Sequence, residues 1–125
     1  MTHIEKKLAE TREGLAMILA TESGRKMFEE YTYQLDMLLE FTQDAHAAYT
    51  GRLNRRYVMY NDIATKAEGV LYGIINAIAV SFDLLGYDLN DHYIRVVLNE
   101  QAYEYNEEMK YFDMDCQNKK FRFAA

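Results

Sequence analysis

Apolar residues recur every three or four positions along most of the chain, and no segment of comparable length alternates apolar and polar residues. A period of about 3.6 residues predicts amphipathic α-helices rather than strands. The sequence therefore predicts an all-α protein whose helices pack through one apolar side each. The first helix spans about residues 3–20, and its inward side is formed by Ile4, Leu8, Leu15 and Ile18.

A short turn at residues 21–24 separates the first helix from the second. Thr21 or Ser23 can cap the second helix through a hydroxyl oxygen. Gly24 can adopt a positive φ in the same turn. We therefore expect the second helix to begin directly after this segment.

The end of the second helix has two interpretations. Its apolar positions begin at Phe28 and continue beyond Gly51 to Tyr60. One glycine costs only about 1 kcal/mol inside a helix, so the helix ends either near Gly51 or as late as Tyr60. In both cases Asn61 and Asp62 offer caps for the third helix.

The third helix carries apolar residues around much of its circumference and is expected to be the most buried element. Gly86 is expected to end it. Gly69 and Gly73 stand four residues apart, which favours close packing against another helix of the same molecule. The apolar stretch ending at Leu85 is shorter than the roughly 20 residues that a bilayer span requires, so we expect a core helix and no membrane segment.

The fourth helix begins after Asp88 or Asn90. Its inward side is formed by Ile94, Leu98, Ala102, Tyr105, Met109 and Phe112. Residues 116–125 are expected to form a C-terminal tail. Four helices joined by short turns favour an antiparallel four-helix bundle. The chain contains no proline, six glycines and no linker-like segment, so residues 1–125 are expected to form a single domain.

The composition places the protein among ordinary globular proteins. Half of its 125 residues are hydrophobic and 27% are charged. Cys116 is the one cysteine, so neither an intramolecular disulfide nor a cysteine-based metal cluster can form. Without a recognisable signal or transit peptide at the start of this sequence, a cytoplasmic location is expected.

The sequence predicts no catalytic, cofactor-binding or metal-binding residues. None of its three histidines follows a glutamate by three residues, as di-iron bundle proteins require. Glu40 and Asp44 share a helix side, but His46 lies well round the helix from them. Asn76 stands among apolar residues and needs a hydrogen-bond partner if it is buried. An enzyme or ligand-binding site assembled between helices remains an alternative.

The formal charge of the chain, −6, is concentrated near its C-terminus. Residues 88–115 contain eight acidic and two basic residues, whereas acidic and basic residues are equal in number elsewhere. Like charges at helical spacing oppose helix stability by a few tenths of a kcal/mol per pair, which indicates another use for them. We expect a partner-binding surface on the fourth helix, formed by Glu100, Tyr103, Glu104, Glu107, Glu108 and Tyr111.

A smaller basic patch consists of Arg52, Arg55 and Arg56, close to Tyr57 and Tyr60. These side chains are of the type that binds phosphates and stacks on bases. The net charge of −6 and the presence of only three close arginines argue against direct nucleic-acid binding. We expect the arginines to pair with acids of the fourth helix, within one subunit or across a homodimer.

Together these patterns predict a non-enzymatic helical interaction protein whose acidic surface binds a basic surface on another protein. Such a surface can imitate a nucleic-acid backbone and so act on a nucleic-acid-binding partner as an inhibitor or regulator. Small acidic helical proteins of this type occur among phage- and mobile-element-encoded inhibitors of host enzymes. The analogy is with a kind of protein, and no shared motif supports it. A structural homo-oligomer is a further alternative, since several tyrosines lie off the apolar stripes.

Overall fold

The computed structural model describes the backbone of residues 2–124 and the side chains of residues 2–107. The described backbone contains no strand. The chain is an all-α four-helix bundle, so the fold class expected from the apolar periodicity is confirmed. The helices are α1 (His3–Leu19), α2 (Glu22–Thr50), α3 (Asn54–Leu84) and α4 (Asp91–Ala124).

Two of the predicted helix caps are confirmed. The Thr21 hydroxyl oxygen accepts a hydrogen bond from the backbone N–H of Gly24 at 3.0 Å, which caps α2. The Asn90 Oδ1 atom accepts from the backbone N–H groups of His92 and Tyr93 at 3.0 and 3.3 Å, which caps α4. Each side chain satisfies amide groups that have no partner within the helix.

Gly86 ends α3, as expected. It has a φ of 86°, in the left-handed region that favours glycine. The backbone N–H of Tyr87 donates to the carbonyl oxygen of Phe82 at 3.0 Å, and the two rings meet edge to face with centroids 5.6 Å apart. This is a Schellman motif with its usual hydrophobic contact.

The structure settles where α2 ends. Gly51 is the C-cap of α2, and Arg52, with a φ of 59°, is the residue in the left-handed region. Helix α3 then begins just after Leu53, several residues earlier than the sequence predicted. Asn61 and Asp62 lie inside α3, so the prediction that they cap it is wrong.

The hydrophobic core lies at one end of the α2–α3 hairpin. It contains no residue between 39 and 70. Every helix contributes to the core, and α4 supplies four side chains with no exposed surface. The buried members are Leu15, Ile18, Tyr31, Leu35, Leu71, Ile75, Ile78, Phe82, Ile94, Val97, Leu98 and Ala102.

Helix α3 is less buried than the sequence predicted. Its buried residues form one stripe, from Ala64 to Phe82. On the opposite side Val80 and Leu84 are 59% and 84% exposed. Only one side of α3 packs against the rest of the described chain. The prediction of a central helix, which was based on apolar residues around its circumference, is therefore wrong.

The expected role of Gly69 and Gly73 in tight intramolecular packing is wrong. A Cβ atom built at either position meets nothing within 4 Å in the part of the chain that the structure describes. The close approaches occur at other glycines. A Cβ at Gly14 would lie 2.1 Å from the Phe82 ring, and one at Gly24 would lie 1.8 Å from the Ile18 carbonyl oxygen.

Among the described residues, α3 is the helix that is long and apolar enough to cross a membrane. An 18-residue window has a mean hydropathy of 1.4, and a third of that window is buried. Core helices of soluble proteins satisfy the same criterion of length and composition.

Helix α4 continues to Ala124. Residues 116–124, which the sequence predicted to form a tail, therefore belong to the helix. No glycine or proline occurs after Gly86, so the backbone contains none of the residues that commonly end a helix.

Candidate functional site

The described part of the predicted acidic surface lies on the solvent side of α4. Glu100, Tyr103, Glu104 and Glu107 are all exposed. Tyr103, Glu104 and Glu107 lie three, four and seven residues after Glu100, which places all four on one side of the helix. We refer to these four residues as the acidic face.

Contacts with α2 fix how α4 is turned about its axis. The Tyr31 hydroxyl donates to Asn99 Oδ1, and Asn106 Nδ2 donates to the carbonyl oxygen of Thr32 at 3.0 Å. One turn earlier in α2, the rings of Phe28 and Tyr105 meet edge to face at 5.8 Å. These contacts hold one side of α4 against α2 and leave the acidic face outward.

Tyr31 is the buried anchor of this arrangement, with 1% of its surface exposed. Burial raises the pKa of its hydroxyl to about 12, because the ionised form would lose its hydration. The nearby Arg95 guanidinium opposes this rise. At neutral pH the neutral hydroxyl is therefore available to donate its proton to Asn99.

One carboxylate of the acidic face has a partner among the described side chains, and the other two have none there. Arg12 Nη2 on α1 lies 3.2 Å from Glu100 Oε2, and both side chains are about half exposed. Glu104 and Glu107 form no hydrogen bond or ion pair with any residue whose side chain is described. The two carboxylates are thus free, within that part of the chain, to meet an external cation.

Two residues predicted to belong to this surface, Glu108 and Tyr111, lie outside the described side chains. Asn99 and Asn106 were not identified from the sequence. Their separation of seven residues on the border of an apolar stripe was the available signal. It did not reveal which helix their amides would meet.

The basic patch lies at the opposite end of the α2–α3 hairpin. Arg52, Arg55 and Arg56 are exposed, and none forms an ion pair with a described residue. Gly51 lies nineteen positions after Thr32, which contacts α4, and this corresponds to roughly 28 Å at 1.5 Å per residue. The expected pairing with the acidic face within one subunit is therefore absent from the described structure.

Two small clefts hold the polar residues that the sequence singled out. One cleft of about 200 Å³ lies between α3 and α4, where the Arg95 guanidinium stands 4.7 Å from the Tyr72 ring centroid. It is lined by Tyr72, Ile75, Asn76, Asp91, His92 and Arg95. A second cleft of about 290 Å³ is lined by Thr42, Ala45, His46, Tyr49, Tyr57 and Asn61.

Asn76 is exposed at the first cleft rather than enclosed among apolar residues. It therefore needs no partner within the chain, since water can satisfy its amide. Over the described residues, no group of three histidine, cysteine, aspartate or glutamate side chains is placed to hold a metal ion.

Comparison of the chain with protein-family models, with curated proteins and with solved structures finds no match.

Proposed function

We propose that this protein is a non-enzymatic interaction protein that presents the acidic face of α4 to a basic surface on another protein. The observation that carries the proposal is the outward position of Glu104 and Glu107, which pair with no described side chain, beside the exposed Tyr103. A nucleic-acid-binding protein is the partner class with the matching surface, and the protein would act on it as an inhibitor or regulator.

The carboxylates of the acidic face do not stabilise the helix that carries them, which favours a role in recognition. Neighbouring carboxylates on a helix oppose its formation by a few tenths of a kcal/mol per pair. The Arg12–Glu100 pair offsets little of this, since exposed ion pairs contribute at most about 1 kcal/mol. A row of carboxylates also attracts a cationic partner and speeds its approach.

Tyr103 adds a contact of a different kind. Its side chain is 46% exposed and lies between Glu100 and Glu104 on the same side of α4. Tyrosine combines an apolar ring with a polar edge and is enriched at protein interfaces. The acidic face therefore offers both charge and a surface that a partner can bury.

Ligand binding between helices is the second candidate function, and the two clefts favour it. The cleft beside Asn76 brings Asp91, His92 and Arg95 together, which gives a small molecule both charges to bind. Its volume of about 200 Å³ is below the 300–1,000 Å³ typical of small-molecule sites. We therefore rank ligand binding behind protein recognition.

The proposal is tested by affinity capture from an extract of the organism that encodes the protein. The bait is the full chain, as wild type and with Glu104→Lys and Glu107→Lys. We expect the double variant to keep its helical circular dichroism and to unfold within about 0.5 kcal/mol of wild type, because both positions are exposed. Mass spectrometry should show that it loses a basic protein that the wild type retains.

The matched control carries Glu40→Lys and Glu68→Lys, which make the same change in charge at exposed positions of α2 and α3. This variant should retain the captured protein. Identical captured proteins for wild type and the Glu104 and Glu107 variant, at both low and moderate salt, would refute the proposal.

A further inference from the structure

The α2–α3 hairpin extends beyond the hydrophobic core as a two-helix arm, which we define as residues 39–70. Its buried side chains are only four alanines, Ala45, Ala48, Ala64 and Ala67. Alanines let the two helices lie close together but bury little apolar surface. The arm thus carries its outermost residues away from α1 and from the described part of α4.

The tip of the arm, residues 49–57, is a basic surface. Residues 45–61 contain three arginines and no acidic residue. Arg55 and Arg56 occupy the first turn of α3, where the helix dipole disfavours cations. Arg52 occupies a left-handed conformation that favours glycine. All three arginines are therefore placed at a cost in stability and form no ion pair with the described residues.

Two tyrosines are close to the arginines along the chain, although Arg56 lines a separate cleft with Asp44 and Tyr60. Tyr49 near the end of α2 and Tyr57 near the start of α3 have ring centroids 5.5 Å apart, with their planes tilted by 54°. Tyr49 is 67% exposed, so one face of its ring is open to solvent. The rings border the cleft of about 290 Å³, in which Thr42 and Asn61 supply polar groups.

We propose that the tip of the arm binds single-stranded nucleic acid. Arginine is suited to phosphate oxygens because its planar guanidinium can donate two hydrogen bonds at once. An unstacked base can lie on the Tyr49 or Tyr57 ring, as in other single-strand-binding proteins. Thr42 and Asn61 lie in the adjoining cleft, where they can hydrogen-bond to the edge of that base.

Single-stranded nucleic acid fits this surface better than two other polyanions. In a duplex the bases are stacked on one another, so the tyrosine rings would have nothing to stack on. An acidic peptide would use the arginines and leave the aromatic rings unused. The rings and the polar cleft therefore decide the partner class, while the arginines alone would not.

The overall charge of −6, which argued against nucleic-acid binding, does not govern the tip. The segment of α4 that carries the acidic face lies roughly 28 Å from Gly51, measured along α2. Exposed charges are screened over about 8 Å at physiological ionic strength. The acidic face therefore does not offset the positive charge of the tip, and Asp44, which lines a cleft with Arg56, offsets only part of it.

The test is a fluorescence anisotropy titration of the full chain against a short fluorescein-labelled oligothymidylate and the matching oligouridylate, at a series of salt concentrations. We expect binding at low salt. The Arg55→Ala and Arg56→Ala double variant should bind about tenfold more weakly. The slope of log affinity against log salt concentration should become shallower by about 1.4, because single strands release about 0.7 counterion per phosphate contact.

Tyr49→Leu separates stacking from charge. We expect a loss of about tenfold in affinity with an unchanged salt dependence, since a base loses its aromatic platform but no phosphate contact is removed. The matched charge control is Arg25→Ala with Lys26→Ala, which removes two exposed cations from α2 far from the tip. It should bind as the wild type does.

Several results would overturn the proposal. They are an absence of binding at low salt, equal loss in the Arg25 and Lys26 control, and full affinity in the Arg55 and Arg56 variant. Competition by a duplex or by polyglutamate as effective as that by unlabelled single strand would also overturn it. Either result would show that the surface recognises negative charge alone. The Glu104 and Glu107 variant should bind the oligonucleotide normally, so this test is independent of the acidic face.

Discussion

Gly24 lies where the end of α1 meets the start of α2, and it is buried. A methyl group there would lie 1.8 Å from the Ile18 carbonyl oxygen, which belongs to the backbone and cannot rotate away. We predict that Gly24→Ala lowers the free energy of unfolding by about 2 kcal/mol, the usual cost of overpacking a tight contact. Urea denaturation followed by circular dichroism measures this change.

Gly73 provides the matched control, because it lies inside α3 with open space around it. Alanine favours a helix interior over glycine, so Gly73→Ala should raise the free energy of unfolding by about 0.5–1 kcal/mol. The same direction of change in both variants would contradict the packing described at the α1–α2 turn.

These glycines show what a sequence reveals at the scale of one residue. The sequence predicted a positive φ at Gly24 and close packing at Gly69 and Gly73. Gly24 instead lies within α2 and makes the close contact, whereas Gly69 and Gly73 make none. A glycine residue is consistent with either a special φ or a close neighbour, and only the arrangement of the helices distinguishes them.

Tyr31 should make the stability of the protein depend on alkaline pH. Its pKa is raised from 10.0 to about 12 in the folded protein. The contribution of the protonated Tyr31 hydroxyl to the free energy of unfolding is complete below pH 10 and is lost as the pH rises through 12. The reason is that the unfolded chain releases this proton at a lower pH than the folded protein does. The total effect is roughly 2–3 kcal/mol at 1.36 kcal/mol per pH unit.

The measurement compares unfolding free energies at pH ~9 and pH ~11.5 for the wild type and for Tyr31→Phe. The wild type should lose more stability over this range than the variant, which cannot ionise at this position. Equal losses in the two proteins would show that the Tyr31 hydroxyl is not protected in the folded state.

At the scale of elements, the two ends of α3 differ in how well the sequence predicts them. Gly86 was predicted correctly because the residue with positive φ is itself the glycine. At the other end, the residue with positive φ is Arg52, and Gly51 stands one position earlier. The boundary between α2 and α3 was ambiguous because the glycine is not at the position that needs its conformational freedom.

Arg52→Gly should therefore stabilise the turn. Glycine adopts a φ near 59° without the steric cost that a side chain incurs, so we predict a gain of about 0.5–1 kcal/mol. Arg56→Gly is the control, because it removes the same side chain from a helical position that does not need the freedom of glycine, so it should not give this gain. Thermal unfolding of both variants tests the pair, and destabilisation by Arg52→Gly would contradict the turn geometry.

The burial of whole elements was less predictable than their existence. Apolar periodicity locates the inward side of a helix, as it did for Leu98 and Ala102 of α4. It does not give the number of helices that pack around an element. Helix α3 looked central because of its many apolar residues, yet Val80 and Leu84 face away from the described core.

At the scale of the whole molecule, the core and the arm should differ in local stability. Within residues 39–70 the buried side chains are alanines, whereas residues 94–102 of α4 pack in the centre of the core. Segments with few buried contacts open with less free energy. We predict that amides of the arm exchange with deuterium faster than those of residues 94–102.

Hydrogen exchange followed by mass spectrometry can resolve peptides from the two regions. Residues 28–35 of α2 provide an internal reference, because they belong to the same helix as the arm but pack in the core. Equal protection along the full length of α2 would show that the arm and the core unfold as one unit.

The acidic face could be predicted from the sequence because its residues are close together along one helix. The spacing of Glu100, Glu104 and Glu107 was enough to place them on one side of α4. The Arg12–Glu100 pair and the isolation of the arginines could not be predicted, because they depend on how distant segments pack. Likewise, periodicity cannot show that half of the α2–α3 hairpin extends beyond the core.

The tip of the arm and the acidic face place opposite charges at two positions roughly 28 Å apart along the hairpin. A charged surface exerts a torque on such a molecule before any contact is made. The protein should approach anionic surfaces with the Arg52 turn leading and cationic surfaces with α4 leading. The sign of the charge on the other surface therefore determines which end of the protein approaches it first, even though the total charge of the protein is negative.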